Sequence, residues 1–335
     1  MSLGYLLRRV VVFFLVMWAA MTLIFFLPKL APGRDPIQDR MAMLAATGGA
    51  NSANIADMVK AYQSNFGLDQ PLYVQYFRYL GNIVRLDFNY SLAQYPAKVI
   101  DLITISLPWT VGLLTMTTLI SFGLGSLLGG LLAWPKAPRW LGYLIPPLVT
   151  LSAIPYFLLG IIFVYVFAFV LKLFPLGGGS AFGVMPTISL EYYADILYHS
   201  LLPALSIVAA ALGFWALAMR GMMVTTMGED YMILAEAKGL PARRIFFWYG
   251  MRNALLPQTT SLAISLGHLV SGALLVEIIF RYPGMGTLLY RAVTGFDYFA
   301  IYGVVYFIIV GICLATLLLD VVYPLLDPRI RYQRG

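Results

Sequence analysis

Apolar residues in this chain come in long blocks separated by short polar stretches. Six blocks reach the roughly 20 mostly apolar residues that a bilayer core requires. They lie at about 10–27, 104–134, 140–171, 199–219, 258–280 and 299–323. Hydrophobic residues fill 61% of the 335 positions and charged residues only 11%. A soluble domain carries about 25% charged residues. The pattern therefore predicts an all-α polytopic membrane protein with six transmembrane helices. Arg8 and Arg9 precede the first block as in a secretory signal. That block is longer than the usual ~7–15-residue signal core, and the following PKLAPG is a poor cleavage site. An uncleaved anchor is expected over 1–27.

Loop charge orients the spans. With the N-terminus inside, the short cytoplasmic segments 1–9, 135–139, 220–257 and 324–335 carry dense basic residues, among them Arg8, Arg9, Lys136, Arg139, Arg243 and Arg252. The opposite side spreads its basic residues over longer segments diluted by Asp35, Asp39, Asp57, Asp69 and Asp87. Density in short loops decides orientation, so both termini are expected in the cytoplasm. The net charge of +7 follows from the same rule and does not imply nucleic acid. Segment 28–103 becomes the one large external region. Within it, Leu72, Tyr76, Tyr79, Leu80 and Ile83 recur with a period near 3.6, which predicts a small helical extracytoplasmic cap.

Inside the blocks, ionisable residues are scarce. Arg220, Glu277 and Asp320 fall near predicted ends, and His268 sits deeper. An ion-coupled secondary transporter would be expected to carry buried acids or broken, ion-coordinating helices. An intramembrane enzyme would need a polar catalytic cluster. The single Cys313 leaves no intramolecular disulfide, and two histidines leave no multi-histidine metal centre. Small residues are frequent instead. Gly112, Thr115, Thr118, Gly125 and Gly129 share one face of the second block. Ser261, Ser265, His268 and Gly272 recur at helical spacing in the fifth. Such faces serve close helix packing or a weakly polar path; Ser261, Ser265 and His268 are the path candidates. Pro146, Pro147 and Pro155 are expected to bend the third span.

The segment 220–257 contains a further pattern. Residues 230–238 are compatible with a helix, Gly239 suits a left-handed cap, and a second helix is expected near Pro241, carrying Phe246, Phe247, Trp248, Tyr249 and Met251 before Pro257. This helix–glycine–helix knob has two readings. It docks a cytoplasmic partner, or it lies on headgroups with Arg243, Arg244 and Arg252 meeting phosphates.

The residues also resemble a family. DYMILAEAKGL followed by RNALLP is similar to the coupling loop of ATP-binding cassette importer permeases of the dipeptide/oligopeptide/nickel branch. Ile233 and Leu234 stand where the general signature has Glu and Ala, while Ala235 and Gly239 match it. FGLDQPLYVQYFRYL at 66–80, LPWTVGLL at 107–114, EIIFRYPGMGTLL at 277–289 and LDPRIRY at 326–332 resemble further family elements in the same order. LDFNYS at 86–91 departs from the family's Gly-Asp-x-Gly-x-Ser and leaves the fine structure of the cap open.

The resemblance implies a type I importer permease fold. Anchor 1–27 and external region 28–103 would precede a five-helix core over 104–323 and a cytoplasmic tail at 324–335. Asp230, Tyr231, Ala235, Glu236, Ala237, Lys238, Gly239 and Leu240 would couple the chain to ATPases, with Ala235 on the docking contact. Glu277, Pro283, Gly284 and Gly286 would form the family element after the fifth span. The partners implied are a second homologous permease, two cytoplasmic ATPases, an extracytoplasmic binding protein and membrane lipid, in a bacterial or archaeal plasma membrane. No phosphate-loop motif is present in this chain, so ATP and Mg would sit on the partner ATPases and the chain would be no enzyme. Short peptides are the expected substrate, with oligosaccharides or nickel as alternatives. The readings from other classes are an ion-coupled secondary transporter and a membrane assembly subunit that transports nothing.

Overall fold

The computed structural model describes residues 3–26, 64, 69–181, 183–184, 188–267 and 274–326. Among them every regular element is helical. In chain order these are α1 (Leu3–Phe26), α2 (Leu72–Val84), α3 (Val99–Ala133), a 3-10 turn (Arg139–Leu144) leading into α4 (Ile145–Ala153), and α5 (Tyr156–Phe163) continued by a π-helical turn (Val164–Val170). There follow α6 (Leu190–Met227), α7 (Asp230–Ala237), α8 (Ala242–Arg244), a second π-helical turn (Ile245–Met251), α9 (Arg252–Gly267), α10 (Leu274–Ile279), α11 (Met285–Thr294) and α12 (Tyr298–Leu326).

Four helices among the described residues are long and apolar enough to cross a membrane: Leu7–Phe26, Val99–Ala133, Leu190–Met227 and Tyr298–Leu317. A bent pair, Arg139–Ala153 with Tyr156–Val170, supplies a fifth if counted as one span. Its two halves meet at 101°. The three prolines expected to bend this span divide the work unequally. Pro146 and Pro147 occupy the first turn of α4, where no backbone donor is lost. Pro155 stands at the break and caps α5.

The residues cluster into two units. The first comprises residues 1–109 and 284–314. Here α2 uses the apolar face expected from its periodicity, except that Leu72 is exposed. Tyr76 exchanges a 2.8 Å hydroxyl hydrogen bond with Thr22 of α1, and the Tyr79 ring lies 5.1 Å from that of Phe25 and 5.2 Å from that of Tyr302. Met21, Ile83, Val99, Ile103, Leu288 and Val304 fill the core below. Asp297, 1% exposed, caps α12 by accepting from the backbone N–H of Ala300 at 3.1 Å. Its second oxygen accepts from the Ser91 hydroxyl and from the Ala93 N–H. The departed stretch at 86–91 is thereby fastened to the start of the last helix.

The second unit comprises residues 110–283 and 315–335. Helix α6 is its spine. Pro203 lies inside α6, and the helix runs for 38 residues. At 1.5 Å per residue that is about 57 Å, well beyond the ~30 Å hydrocarbon core. A methyl group on Gly125 would lie 2.5 Å from the Trp215 Cβ, and one on Gly129 would strike the Ala216 carbonyl. This end of the small-residue face is therefore a backbone-to-backbone helix contact. Gly112 on the same face meets nothing.

Candidate functional site

The expected cytoplasmic loop 220–257 is mostly helix. Helix α6 continues to Met227, and Pro257 lies inside α9 rather than ending a helix. What projects is α7 with its two turns. Asp230 occupies the first turn, where a carboxylate favours the helix dipole. The C-terminal end closes as a Schellman motif. The Gly239 N–H donates to the Glu236 carbonyl at 2.9 Å and the Leu240 N–H to the Ala235 carbonyl at 3.4 Å. Gly239 has φ +68, the left-handed conformation that glycine adopts without steric cost. Leu240 then folds back on the cluster that contains Ala235.

That cluster corrects one expectation. Ala235 is 2% exposed and packs with Trp134, Met219, Met223, Met232, Ile245 and Phe246. It faces inward, so its small side chain seats the knob on its own helices instead of meeting a partner. The Trp134 and Phe246 rings meet at 5.2 Å. The outward face is Ile233 and Leu234, 62% and 54% exposed, flanked by exposed Ala237, Lys238 and Gly239. These two are the positions where the sequence departs from the family signature. Met232 and Ala235 stand three positions, about one turn, from each other and share the inner face, while the two residues between them point outward.

Glu236 and Lys136 form a 3.2 Å ion pair, both side chains about half exposed. An exposed pair contributes little stability, but it places loop 134–138 beside α7, as expected for two segments on the same side of the membrane. Tyr231 is half-buried on the flank. Burial pushes its phenol above the usual range, Glu229 adds to this, and a hydrogen bond with Asn253 opposes it.

Of the proposed path residues, Ser261 and Ser265 are partly buried one turn apart on α9. His268 lies outside the described residues. One turn before Ser261, Gln258 is 3% exposed, and its Oε1 has no hydrogen-bond partner among the described residues. Sequence reasoning passed over Gln258.

Glu277 is a second correction. It was expected near an interface but is 0% exposed in α10. The Thr110 hydroxyl of α3 donates to its Oε1 at 2.6 Å. The chain around it is tightly tied. The Gly178 N–H donates to the Phe280 carbonyl at 2.8 Å, and the Tyr282 and Ser200 hydroxyls bond at 2.9 Å. After half-buried Pro283, Gly284 caps α11 and Gly286 is buried in its first turn.

Comparison with known proteins follows the same lines. Residues 125–332 match the family described as binding-protein-dependent transport system inner membrane component. A probable peptide ABC transporter permease protein, y4tP, of Sinorhizobium fredii is 32% identical over 98% of this chain and 99% of its own length. The oligopeptide transport system permease protein AppB of Bacillus subtilis is 31% identical over the same shares. The glutathione transport system permease protein GsiC of Escherichia coli K12 is 29% identical over 99% of this chain and all of its own length.

Proposed function

The chain belongs to the family of binding-protein-dependent transport system inner membrane components, and from that premise we propose that it forms half of an import channel for short peptides. The peptide assignment is supported by the names of its relatives. Six spans with both termini in the cytoplasm fit the basic loops, and the external region at 28–103, with α2 docked on α1, fits a small cap. The domain limits proposed are 1–27, 28–103, 104–323 and 324–335. A second homologous permease would complete the channel, an extracytoplasmic binding protein would deliver substrate, and two ATPases would hold the ATP and Mg. Ser261, Ser265 and His268 are the proposed lining of the path. Glu277, Pro283, Gly284 and Gly286 hold the turn after the fifth span.

The observation that carries this reading is the knob. Its inner face packs on Trp134, Met223 and Phe246, while its outer face presents Ile233 and Leu234. A partner ATPase that grips the outer face moves α7 together with α6 and α9. Asp230, Tyr231, Glu236, Ala237, Lys238 and Gly239 surround that grip, and Ala235 and Leu240 anchor it from within.

The test is peptide uptake in proteoliposomes holding the whole importer. Ile233→Asp with Leu234→Asp is expected to abolish uptake at normal membrane levels, because the buried face is untouched. Gly239→Val is expected to reduce uptake, since a left-handed backbone costs a side-chain-bearing residue about 1–2 kcal/mol. Full uptake by both variants would rule out α7 as the coupling element.

A further inference from the structure

The knob has a second exposed surface, on the helix that follows α7. Arg243, Arg244 and Arg252 are exposed and line one open groove of about 1070 Å³ together with Phe247, Trp248 and Leu255. An adjoining hollow of about 870 Å³ shares Arg244, Trp248 and Arg252. No acidic side chain lines either one. The ion pairs of Lys136 with Glu236 and of His199 with Asp195 do not involve these arginines. Trp248 is 63% exposed, with the Arg252 guanidinium 5.9 Å from its ring centre.

The convergence depends on the backbone. On a regular α-helix Arg243 and Arg252 would be about two and a half turns apart and would point to opposite sides. The π-helical turn Ile245–Met251 between them underwinds the helix. Both side chains then line the same groove. The sequence names these three arginines as phosphate partners, and the π-turn is what gathers them against two exposed rings in one groove.

We propose that this groove binds the headgroup of an anionic phospholipid. Arginine forks match phosphate oxygens and hold them by paired, charge-assisted hydrogen bonds. Phe247, Trp248 and Leu255 offer an apolar wall to the glycerol and the first acyl carbons. Exposed tryptophan beside arginine is the composition of a membrane–water boundary. The helical run 242–267 is also unbroken, and on the proposed topology, with the fifth span beginning near 258, the Arg252 end of the groove lies within about two turns of the bilayer boundary. A protein surface covering three arginines would have to bring several carboxylates. An anionic leaflet brings phosphates without a dedicated partner. The site differs from the Ile233–Leu234 face, so the two can be occupied together.

The experiment uses the assembled importer in phosphatidylcholine bilayers with and without phosphatidylglycerol, and native mass spectrometry to count retained phosphatidylglycerol. Each basic side chain near an anionic surface changes binding about fivefold. Arg243→Gln, Arg244→Gln and Arg252→Gln combined should therefore weaken retention by roughly two orders of magnitude. Equal retention by this variant overturns the proposal. So does loss of the ATPases from the variant in pure phosphatidylcholine, which would make the groove a protein contact. Displacement of the lipid by excess inorganic phosphate would make it a free-anion site and also overturn the assignment. If the triple variant does not assemble, the wild-type chain still decides. Brominated phosphatidylglycerol should quench its tryptophan fluorescence more than brominated phosphatidylcholine, and Trp248→Phe should remove most of that difference. No difference in the wild type contradicts the site. Because uptake is not the readout, failure of the coupling role of α7 leaves this result unaffected.

Discussion

The two buried clusters of the second unit are made of different side chains. The cluster under α7 is rich in methionine, with Met219, Met223, Met232 and Met251 around Ala235. The cluster around Phe280 is small and aromatic, with Ala168, Leu202 and Val276 enclosed by partly buried Phe157, Phe163, Phe167 and Phe174. Thioether chains are flexible and fill irregular gaps, so the knob can shift slightly on α6 without losing contact. Rings pack in specific geometries, here at 5.4 Å between Phe163 and Phe167. The Phe280 region adds a buried hydrogen bond from Thr110 to Glu277 and a backbone tie from Gly178 to the Phe280 carbonyl, whereas the knob's ion pair, Lys136 with Glu236, is about half exposed. One region is an adaptable joint and the other is a fixed register.

The sharpest way to break this comparison is a charge in the soft joint. Ala235→Arg would put an unpaired guanidinium at a 2% exposed site, and an uncompensated buried charge costs about 3–5 kcal/mol. Limited proteolysis should then cut near α7 while the spans still insert, and uptake should be lost. This loss would arise from within the knob, unlike that of the Ile233–Leu234 variant, which should resist cleavage.

A smaller effect is expected from the rigid region. Glu277→Ala removes the acceptor of a buried hydroxyl, worth about 1–3 kcal/mol, whereas Glu277→Gln keeps an acceptor. The thermal midpoint of the purified complex should fall clearly for Ala and less for Gln. Equal midpoints for both would mean that the hydrogen bond to Thr110 holds nothing. The smallest effect belongs to Met223→Leu, a volume-conserving exchange that costs below about 1.5 kcal/mol. Its midpoint should barely move, while a slower uptake rate would show that the joint's softness is used.

Much of this was legible in the sequence, for identifiable reasons. Long apolar blocks and a 3.6-residue period report solvent and face, so the four or five spans found among the described residues and the inner side of α2 were readable. Gly239 was readable because only a left-handed turn calls for glycine there. The inward orientation of Ala235 was not, because in an eight-residue helix with apolar residues on both sides periodicity cannot separate them. Glu277 was misplaced because hydropathy counts a carboxylate as interfacial and cannot see Thr110, 167 positions away in the chain. The two π-turns leave no pattern at all, since they change the helical phase without changing composition. The stretch 28–63, expected to be external, lies outside the described residues.

The central claim is that the outer face of α7, and not its buried face, meets the ATPases. It is tested most directly by a single cysteine at Leu234 in a Cys313→Ser background, with thiol labelling of the assembled importer and of the permease stripped of its ATPases. The account predicts rapid labelling of the stripped chain, strong protection in the assembly, and a disulfide or short cross-link to the ATPase. Equal labelling in both states, with no cross-link and with transport intact, would contradict it.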